Sequence, residues 1–311
     1  MGSSFAFIDF QNRSAADLKL FLSQARELKQ NFTRGAQMTL RGTCLMMFFE
    51  PSTRTKFSFE TAALRAGFQP LSFTPGMTSV EKGETLLDSL LNLQAYDPHF
   101  FVIRCGNEYD LRQVQEEIST PILNAGWGIF GHPTQALLDV MTVEEALGGL
   151  QKKKILFVGD FAYSRVFASH LELAPLLGYE IALCGPPVFM NEQTRVSELA
   201  QGVKKFTSLQ DGTEWADAIC FLRVQLERHA EKKAFRDLTQ DQYHDQFGAS
   251  EQWLAKLSPE KKIMHPGPVN EGIEICRAAM RDPRSLILEQ TRNGVFIREA
   301  LIRASVVGGP K

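Results

Sequence analysis

The chain has 311 residues, 44% of them hydrophobic and 23% charged, and a formal net charge of −2 at pH 7. This composition is typical of a globular protein, and the length predicts two domains rather than one core. A nearly neutral chain has no general attraction to nucleic acid or to an anionic membrane, so any anion site must be local.

The cysteines argue against two further kinds of site. There are five of them, widely separated and without C-x-x-C spacing: Cys44, Cys105, Cys184, Cys220 and Cys276. This pattern predicts neither a disulfide framework nor a zinc site. No apolar run approaches the roughly 18 residues of a membrane span, and the N-terminus lacks a signal-peptide pattern. We therefore expect reduced thiols in a cytoplasmic protein that is neither exported nor anchored.

The first half of the chain alternates helical patterns with short apolar runs. Ser14 and Asp17 predict the start of a first helix, because they have the spacing of a capping box with an acidic third residue. Strands bounded by Gly, Pro or Asn are predicted at 43–49, 70–73, 100–104 and 121–124. A helical pattern at 84–94 lies between the second and third of them.

A second series of strands is predicted at 154–160, 179–184, 217–222 and 261–264. The helical pattern at 135–149 lies between the two series and is long enough to bridge two domains. Strands that alternate with helices form parallel sheets. The sequence therefore predicts an α/β protein with two parallel-sheet domains, joined by bridging helices, with the active site in the cleft between them.

The segment FFEPSTRT at 48–55 takes an apolar strand into a turn of small hydroxyl side chains and then into a helix. Free amides, the positive end of the helix dipole, the hydroxyls of Ser52, Thr53 and Thr55, and the Arg54 guanidinium together fit a phosphate. Ser and Thr are also favoured as N-caps without any ligand. However, an arginine in the first turn opposes the dipole and requires a negative partner.

Other polar residues of the first half lie at predicted strand ends, where open α/β sheets place their ligands. Ser79 and Lys82 lie on a polar loop before the helix at 84–94, Arg104 closes a strand, and His132 and Gln135 precede the bridging helix. Each has an ordinary structural alternative: a loop lysine is usually solvated, a strand arginine is often paired, and a histidine can be a helix cap.

In the second half, Arg165 is predicted in the turn after the strand that begins at 154, and Arg223 leaves the strand at 217–222. Gln225 is two residues further on, so in extended chain it shares a face with Arg223. Two arginines suit a dicarboxylate, because each guanidinium can bind one carboxylate in bidentate fashion. The alternative is an ion pair with a neighbour such as Glu227.

The loop HPGPVN at 265–270 ends the last predicted strand. Proline brings no N–H, so a rigid loop of this kind leaves carbonyl oxygens available as acceptors. An acceptor here could orient an incoming amine.

Together these motifs resemble the aspartate/ornithine carbamoyltransferase family over essentially the whole chain. The family's phosphate signature F-x-E-x-S-T-R-T is present at 48–55, and S-x-x-K-G-E-T, V-x-R, H-P-T-Q, R-x-Q-x-E-R and H-P-x-P follow in the family's order. RVQLER at 223–228 with HPGP at 265–268 is similar to the aspartate branch, because the ornithine branch has a cysteine-containing H-C-L-P at the latter position.

The resemblance implies transfer of the carbamoyl group of carbamoyl phosphate to L-aspartate, giving N-carbamoyl-L-aspartate and phosphate in de novo pyrimidine biosynthesis. It also implies a reaction without a metal or organic cofactor, a homotrimer with shared active sites, and a possible regulatory chain or dihydroorotase as partner. We expect no nucleic acid or membrane partner.

The resemblance also implies roles for individual residues. Carbamoyl phosphate contacts are expected from Ser52, Thr53, Arg54, Thr55, Ser79, Lys82, Arg104, His132 and Gln135. Aspartate contacts are expected from Lys82, Arg165, Arg223, Gln225 and the carbonyls of Pro266 and Gly267. Catalytic roles are expected for Arg54, Thr55, Lys82, Arg104 and His132. The carbamoyl phosphate domain is expected at 1–136, with a C-terminal helix at 291–311 packed back on it, and the aspartate domain at 137–290.

Three residues depart from the family pattern. Trp127 replaces an aspartate common in relatives, Gly131 replaces a polar residue before H-P-T-Q, and Glu271 stands where one branch has arginine. None of these departures removes a residue with a direct catalytic role. We expect the altered loop to change how His132 is supported, and Glu271 to make the aspartate half less electropositive.

Three alternatives remain open from the sequence. A nicotinamide-dependent dehydrogenase also has two α/β domains, but the segment VGDFA at 158–162 lacks the glycine fingerprint for pyrophosphate. A non-catalytic scaffold of a larger assembly would share the fold. Such a scaffold would be expected to lose the phosphate-site and carboxylate-site residues, whereas this chain retains them. The third alternative is a carbamoyltransferase for another amine.

Overall fold

The computed structural model of the chain describes residues 5–35, 39–72, 84–190, 194–224 and 239–307. The chain forms two compact units. The first comprises Met1–Leu138 and Thr291–Lys311, and the second comprises Asp139–Gln290.

The first unit contains a four-stranded parallel sheet in the order β2-β1-β3-β4. Its strands are β1 Gly42–Phe48, β2 Phe68–Ser72, β3 Phe101–Cys105 and β4 Ile122–Trp127. Its helices are α1 Ala15–Gln30, α2 Thr53–Ala66, α3 Leu86–Gln94 and α4 Leu111–Glu117, followed by the start of α5 Pro133–Leu147. All four predicted strands are present, with ends shifted by one to three residues.

The second unit contains a five-stranded parallel sheet in the order β7-β6-β5-β8-β9. Its strands are β5 Lys154–Val158, β6 Glu180–Cys184, β7 Lys204–Phe206, β8 Ala218–Phe221 and β9 Lys262–Met264. Its described helices are α6 Arg165–Leu177, α7 Pro187–Met190, α8 Arg195–Leu199, α9 Leu209–Trp215, α10 Gln240–Phe247, α11 Glu251–Lys256 and α12 Arg277–Arg281. The predicted α/β class with two parallel sheets is confirmed.

Strand β7 was not predicted, and its composition explains why. It has three residues, two of them exposed lysines, and it lies at the edge of the sheet beside β6. An edge strand this short has no apolar run that would separate it from a loop.

The chain passes between the two units within helices, first in α5 and again in α13 Ile287–Val307. The later part of α13 packs on the first unit. Arg298 Nη1 donates to Ser58 Oγ of α2 at 2.6 Å, and Lys29 Nζ of α1 donates to Asn293 Oδ1 at 2.7 Å. These bonds join the C-terminal helix to α1 and α2.

Helix α1 begins with the predicted capping box. The Ser14 hydroxyl accepts from the Asp17 amide at 3.1 Å, and the Asp17 carboxylate accepts from the Ser14 amide at 3.0 Å. Behind this cap, the helix buries an apolar stripe at the expected spacing: Leu18, Phe21, Leu22 and Ala25. Two amides of the helix start are therefore satisfied by side chains.

The substitution Ser14→Ala should lower the stability of α1 against local unfolding, because it removes the acceptor for the Asp17 amide. We expect a loss of about 1 kcal/mol, measured by hydrogen–deuterium exchange of the α1 amides. Ser23→Ala, at an exposed position inside the same helix, is the matched control and should be neutral or slightly stabilising. Equal losses from both substitutions would contradict a capping role for Ser14.

Candidate active site

In each sheet the strand order reverses beside the first strand of the unit. Strand β1 lies between β2 and β3, and β5 lies between β6 and β8. Loops that leave the two strands at such a reversal go to opposite faces of the sheet, which opens a crevice at their carboxyl ends. The segment after β1 and the end of β3 meet at the first crevice, and the segments after β5 and β8 meet at the second.

The first crevice contains the predicted phosphate signature. Helix α2 begins at Thr53, and Ser52 occupies its N-cap position without a side-chain capping bond. The Ser52 side chain therefore does not cap the helix, so the structural alternative for this residue does not apply. Because the Ser52 hydroxyl accepts no hydrogen bond from the amides of the first turn, these amides remain available to an anion.

Arg54 lies in the first turn of α2 and is exposed. Its side chain makes no hydrogen bond or ion pair with any residue that the structure describes. Desolvation by neighbouring protein atoms lowers the pKa of the guanidinium, and no charged group contributes to that shift. Thr55, the next residue, is buried. A cation beside the positive end of a helix is unfavourable unless an anion joins them.

Arg104 lies inside β3 and connects this crevice to β4. Its Nε is 3.4 Å from Glu50 Oε2, and its Nη1 donates to the Ala125 carbonyl at 3.4 Å. Its own carbonyl accepts from the Phe49 amide at 2.9 Å. Arg104 therefore lies beside the start of the phosphate signature, and Glu50 gives it a counter-charge.

His132 and Gln135 lie at the start of α5, and both are buried. The His132 carbonyl accepts from the amides of Gln135 at 2.9 Å and Ala136 at 3.2 Å, as the residue before a helix does. The structure thus places His132 at the N-terminal end of α5, after the loop that leaves β4.

In the second unit, the prediction that Arg165 lies in a turn is wrong: it is the first residue of α6. Ser164 caps this helix and accepts from the Phe167 amide at 3.2 Å. The turn after β5 therefore ends at Ser164, before Arg165. Arg165 therefore repeats the arrangement of Arg54, a cation in the first turn of a helix that follows the first strand of its sheet.

Arg223 lies two residues after the end of β8. The strand ends of β5 and β8 approach closely here: a Cβ added to Gly159 would lie 3.0 Å from both the Leu222 carbonyl and the Tyr243 hydroxyl. Gly159 has φ +120°, a conformation that favours glycine. A side chain at position 159 would crowd the chain that follows β8, so glycine allows the two strand ends to lie close together. Arg165 follows on the same segment after β5.

The loop after β9 carries Pro266 and Gly267 and is held by its own histidine. The Gly267 amide donates to His265 Nδ1 at 2.8 Å, and the His265 amide donates to Gln290 Oε1 at 3.0 Å. Gly267 has φ +67°, which glycine adopts without strain. The carbonyls of this loop are thus fixed from both sides of the histidine.

A buried polar network behind this loop was not predicted. Gln290 Nε2 donates to Asp139 Oδ1 at 2.7 Å, the other Asp139 oxygen lies 3.3 Å from His170 Nε2, and His170 Nδ1 is 2.8 Å from the Tyr179 hydroxyl. Gln290 also bonds the His265 amide. Asp139 and Gln290 are 151 positions apart, so no local pattern in the sequence could reveal the pair.

Glu274 provides a second support that was not predicted. Its carboxylate accepts from the Val224 amide at 2.7 Å and from both the Asn270 amide and the Asn270 side chain, at 2.7 and 2.8 Å. Burial raises the pKa of Glu274, against the opposing effect of these donors. Glu274 therefore joins the chain just after Arg223 to the loop that follows Gly267.

The three departures from the family pattern have structural partners. Glu271 forms a bidentate ion pair with Arg277, at 2.8 and 2.7 Å, which lowers the pKa of this carboxylate. Its charge is thus balanced locally, at an exposed position. Trp127 is buried and pairs through its backbone with Gly131.

Three predicted site residues lie outside the described residues: Ser79, Lys82 and Gln225. The part of the chain that the structure describes contains no group of three or more His, Cys, Asp or Glu placed to hold a metal ion. In the same part, no helix is both long enough and apolar enough to cross a bilayer.

Two family profiles match the chain. "Aspartate/ornithine carbamoyltransferase, carbamoyl-P binding domain" matches residues 6–145, and "Aspartate/ornithine carbamoyltransferase, Asp/Orn binding domain" matches residues 151–304. The aspartate carbamoyltransferase catalytic subunit of Halothermothrix orenii is 38% identical over 299 residues, which cover 95% of this chain and 93% of that protein. The chain belongs to the aspartate/ornithine carbamoyltransferase family.

Solved structures agree with this assignment. The catalytic subunit of M. jannaschii aspartate transcarbamoylase superposes with a TM-score of 0.83 at 27% identity, covering 97% of this chain and 98% of that one. The aspartate transcarbamoylase from Trypanosoma cruzi, in complex with carbamoyl phosphate and aspartate, gives a TM-score of 0.83 at 25% identity, covering 97% and 95%. Membership of this family excludes the dehydrogenase alternative.

The substitution Gln290→Leu should destabilise the second unit, because it removes the donor to Asp139 and the acceptor for the His265 amide inside the protein. Buried polar groups left without a partner cost about 1–3 kcal/mol, measurable as a lower urea midpoint. Gln210→Leu is the matched control, because Gln210 is exposed and bonds Glu214 four residues away. A control that loses as much stability as Gln290→Leu would contradict the importance of the network.

Proposed function

We propose that the chain is an aspartate carbamoyltransferase, which transfers the carbamoyl group of carbamoyl phosphate to L-aspartate in de novo pyrimidine biosynthesis. The observation that carries the proposal is Arg54, an exposed cation without a partner among the described residues, in the first turn of α2. Family membership supports the same reaction, because the close relatives that match nearly the whole chain are aspartate carbamoyltransferase catalytic subunits.

The first unit binds carbamoyl phosphate in this proposal, and the second binds aspartate. Phosphate is held by the α2 amides, the hydroxyls of Ser52, Thr53 and Thr55, and the guanidinium of Arg54. Arg104 lies at the neighbouring strand end, within 3.4 Å of Glu50. A dianionic phosphate can make charge-assisted bonds to Arg54, and at Arg104 its double charge competes with the single charge of Glu50.

His132 and Gln135 bind the carbamoyl end in this proposal. Their support is their burial and their place at the start of α5, after the loop that leaves β4 beside Arg104. A histidine there can donate to the carbonyl oxygen, and an amide side chain can bind the carbamoyl NH2 group.

Aspartate is bound through its two carboxylates by Arg165 and Arg223, with Gln225 as a further donor. The carbonyls of Pro266 and Gly267 accept from the carbamoyl and amino groups. The Glu274 contacts support this assignment. One carboxylate accepts from the amide of Val224, next to Arg223, and from the amide of Asn270, in the loop that carries Pro266 and Gly267. The domain assignment is therefore 1–136 with 291–311 for carbamoyl phosphate and 137–290 for aspartate.

The reaction needs no nucleophilic side chain. The neutral amine of aspartate attacks the carbamoyl carbon, a C–N bond forms, and the C–O bond to phosphate breaks as the amine loses a proton. Negative charge grows on the carbonyl oxygen and on the leaving phosphate, so fixed donors such as Arg54, Thr55 and His132 stabilise the transition state. Holding both substrates in line makes a bimolecular step effectively unimolecular.

The direct experiment is a colourimetric assay of the purified chain with carbamoyl phosphate and L-aspartate. Carbamoyl aspartate should form, and L-ornithine offered in its place should give no product. Product from ornithine alone would identify a carbamoyltransferase for another amine. Failure with both amines would favour a non-catalytic scaffold.

The substitution Arg54→Ala should lower kcat by about 10²–10³-fold, the usual cost of removing one donor from a transition-state oxyanion. Folding should be unaffected, because the side chain has no partner among the described residues. Lys56→Ala on the same helix is the matched control, since Lys56 makes a partly exposed pair with Glu60 at 3.9 Å, and its kinetics should stay near normal. A raised KM with normal kcat in Arg54→Ala would contradict the transition-state role.

We also propose a cytoplasmic homotrimer whose active sites are shared between chains, with Ser79 and Lys82 reaching the phosphate site of a neighbour. The support is the family resemblance, in which this loop serves the adjacent subunit. A head-to-tail interface that closes after three copies gives three equivalent sites. A regulatory chain or a dihydroorotase is a possible partner of such a trimer.

Shared sites predict complementation. Lys82→Ala and Arg54→Ala should each be nearly inactive, whereas a mixture of the two under exchange conditions should regain part of the wild-type activity. Each variant carried alone through the same exchange procedure is the control. If labelled chains prove that exchange occurred and the mixture stays inactive, Lys82 does not act on a neighbouring chain.

A further inference from the structure

The turn that leads into His132 is closed on one residue, Trp127. The Trp127 amide donates to the Gly131 carbonyl at 2.9 Å, and the Trp127 carbonyl accepts from the amides of Phe130 at 2.9 Å and Gly131 at 3.2 Å. His132 follows Gly131 directly and immediately precedes α5. A shift of the Trp127 backbone would therefore be passed through these bonds to the residue that precedes His132.

The indole of Trp127 is fixed on three sides. Its Nε1 donates to the Tyr109 carbonyl at 2.6 Å, and its ring stacks on Phe130 with centroids 4.4 Å apart. The Arg112 guanidinium lies 5.6 Å from the ring, and Asp9 holds that guanidinium at 2.5 Å. A buried side chain with a directed hydrogen bond and a stacked partner has one orientation.

The same group of rings extends to the phosphate signature. The Tyr109 ring lies 5.7 Å from that of Phe49, and the Phe49 amide donates to the Arg104 carbonyl at 2.9 Å. Phe49 is three residues before Ser52. We call Phe49, Tyr109, Trp127 and Phe130 the aromatic bridge, because it joins the segment before the helix α2 to the turn before α5.

Core filling alone does not account for this residue. A phenylalanine would fill most of the same space, but it cannot donate to the Tyr109 carbonyl. That bond joins the turn to a segment eighteen residues away, which follows β3. Its loss leaves the stack on Phe130 and the contact with Arg112, neither of which is a directed hydrogen bond.

We propose that Trp127 is a positioning residue, which sets the place of His132 relative to the phosphate signature through the aromatic bridge. The proposal rests on the proposed function, because it assigns His132 to the carbamoyl carbonyl. Misplacing a catalytic group by about 1 Å can cost about 10²-fold in rate. A positioning role therefore predicts a loss of kcat larger than any loss of stability would explain.

The test compares two substitutions that delete the same atoms. Trp127→Phe removes the indole N–H bonded to Tyr109, and Trp253→Phe removes the indole N–H that Trp253 donates to Thr213 Oγ1 at 3.0 Å in the second unit. Trp127→Phe should lower kcat by about 10- to 10²-fold, while Trp253→Phe stays within about twofold of wild type at a similar change in melting temperature. Equal kcat values for the two variants would overturn the proposal.

A second readout does not depend on turnover. The Cε1–H resonance of His132 in labelled protein, assigned by its loss in His132→Gln, should shift in Trp127→Phe and stay in place in Trp253→Phe. An unmoved resonance in Trp127→Phe would overturn the proposal even if the wild-type chain formed no carbamoyl aspartate. Absence of product from wild type with a moved resonance would instead overturn the proposed function alone.

A third variant covers the case in which Trp127→Phe does not fold. Phe130→Leu removes the stacked ring at a half-buried position and keeps the bond to Tyr109. It should move the His132 resonance in the same direction by a smaller amount and lower kcat several-fold. A normal resonance and a normal kcat in Phe130→Leu would count against the aromatic bridge.

Discussion

The reversal of strand order beside β1 and beside β5 is the constraint on which both candidate binding surfaces depend. At each reversal, two neighbouring parallel strands send their chains to opposite faces, which opens a crevice at the strand ends. The helices α2 and α6 follow β1 and β5, so their first turns lie at the carboxyl edges of the two sheets. On α2, the first-turn arginine Arg54 then adds a positive charge that no described residue balances.

The two surfaces are supported in different ways. In the first unit the phosphate signature needs little support, because helix amides are fixed by the helix itself. In the second unit the loop at 265–270 has no regular structure to hold it, and buried side chains do so instead. Gln290 holds its first amide and Glu274 holds its last. Buried polar groups are costly unless each is bonded, so this support is possible because its members satisfy one another.

Features that depend on neighbours in sequence were predictable. The capping box at Ser14, the four strands of the first unit and the division into two parallel sheets all follow from local periodicity, and the structure has each of them. The phosphate signature was found for the same reason, since its hydroxyls and arginine are contiguous. Arg165 was wrongly placed in a turn, because the cap at Ser164 makes it the first residue of α6.

Contacts between distant positions were not predictable. Asp139 and Gln290 meet across 151 positions, and Glu274 reaches Val224 across 50. Neither pair leaves a local pattern, because each partner taken alone reads as a polar residue within a helix or a loop. Trp127 was noticed as a departure from the family pattern, yet its bond to Tyr109 could be found only from the fold.

A reaction without a nucleophilic side chain places its demands on position rather than on reactivity. Fixed donors gain their effect because they are not reoriented during the reaction, and that requires side chains and turns with a single arrangement. Residues that never touch substrate then matter for rate, since a loose turn misplaces the donors that it carries. In this chain the aromatic bridge and the Gln290 network are the structures that meet that demand, one in each unit. Substitutions in the aromatic bridge should therefore lower kcat before they abolish folding, whereas Arg54, which is exposed and has no partner among the described residues, can be replaced at little cost to the fold.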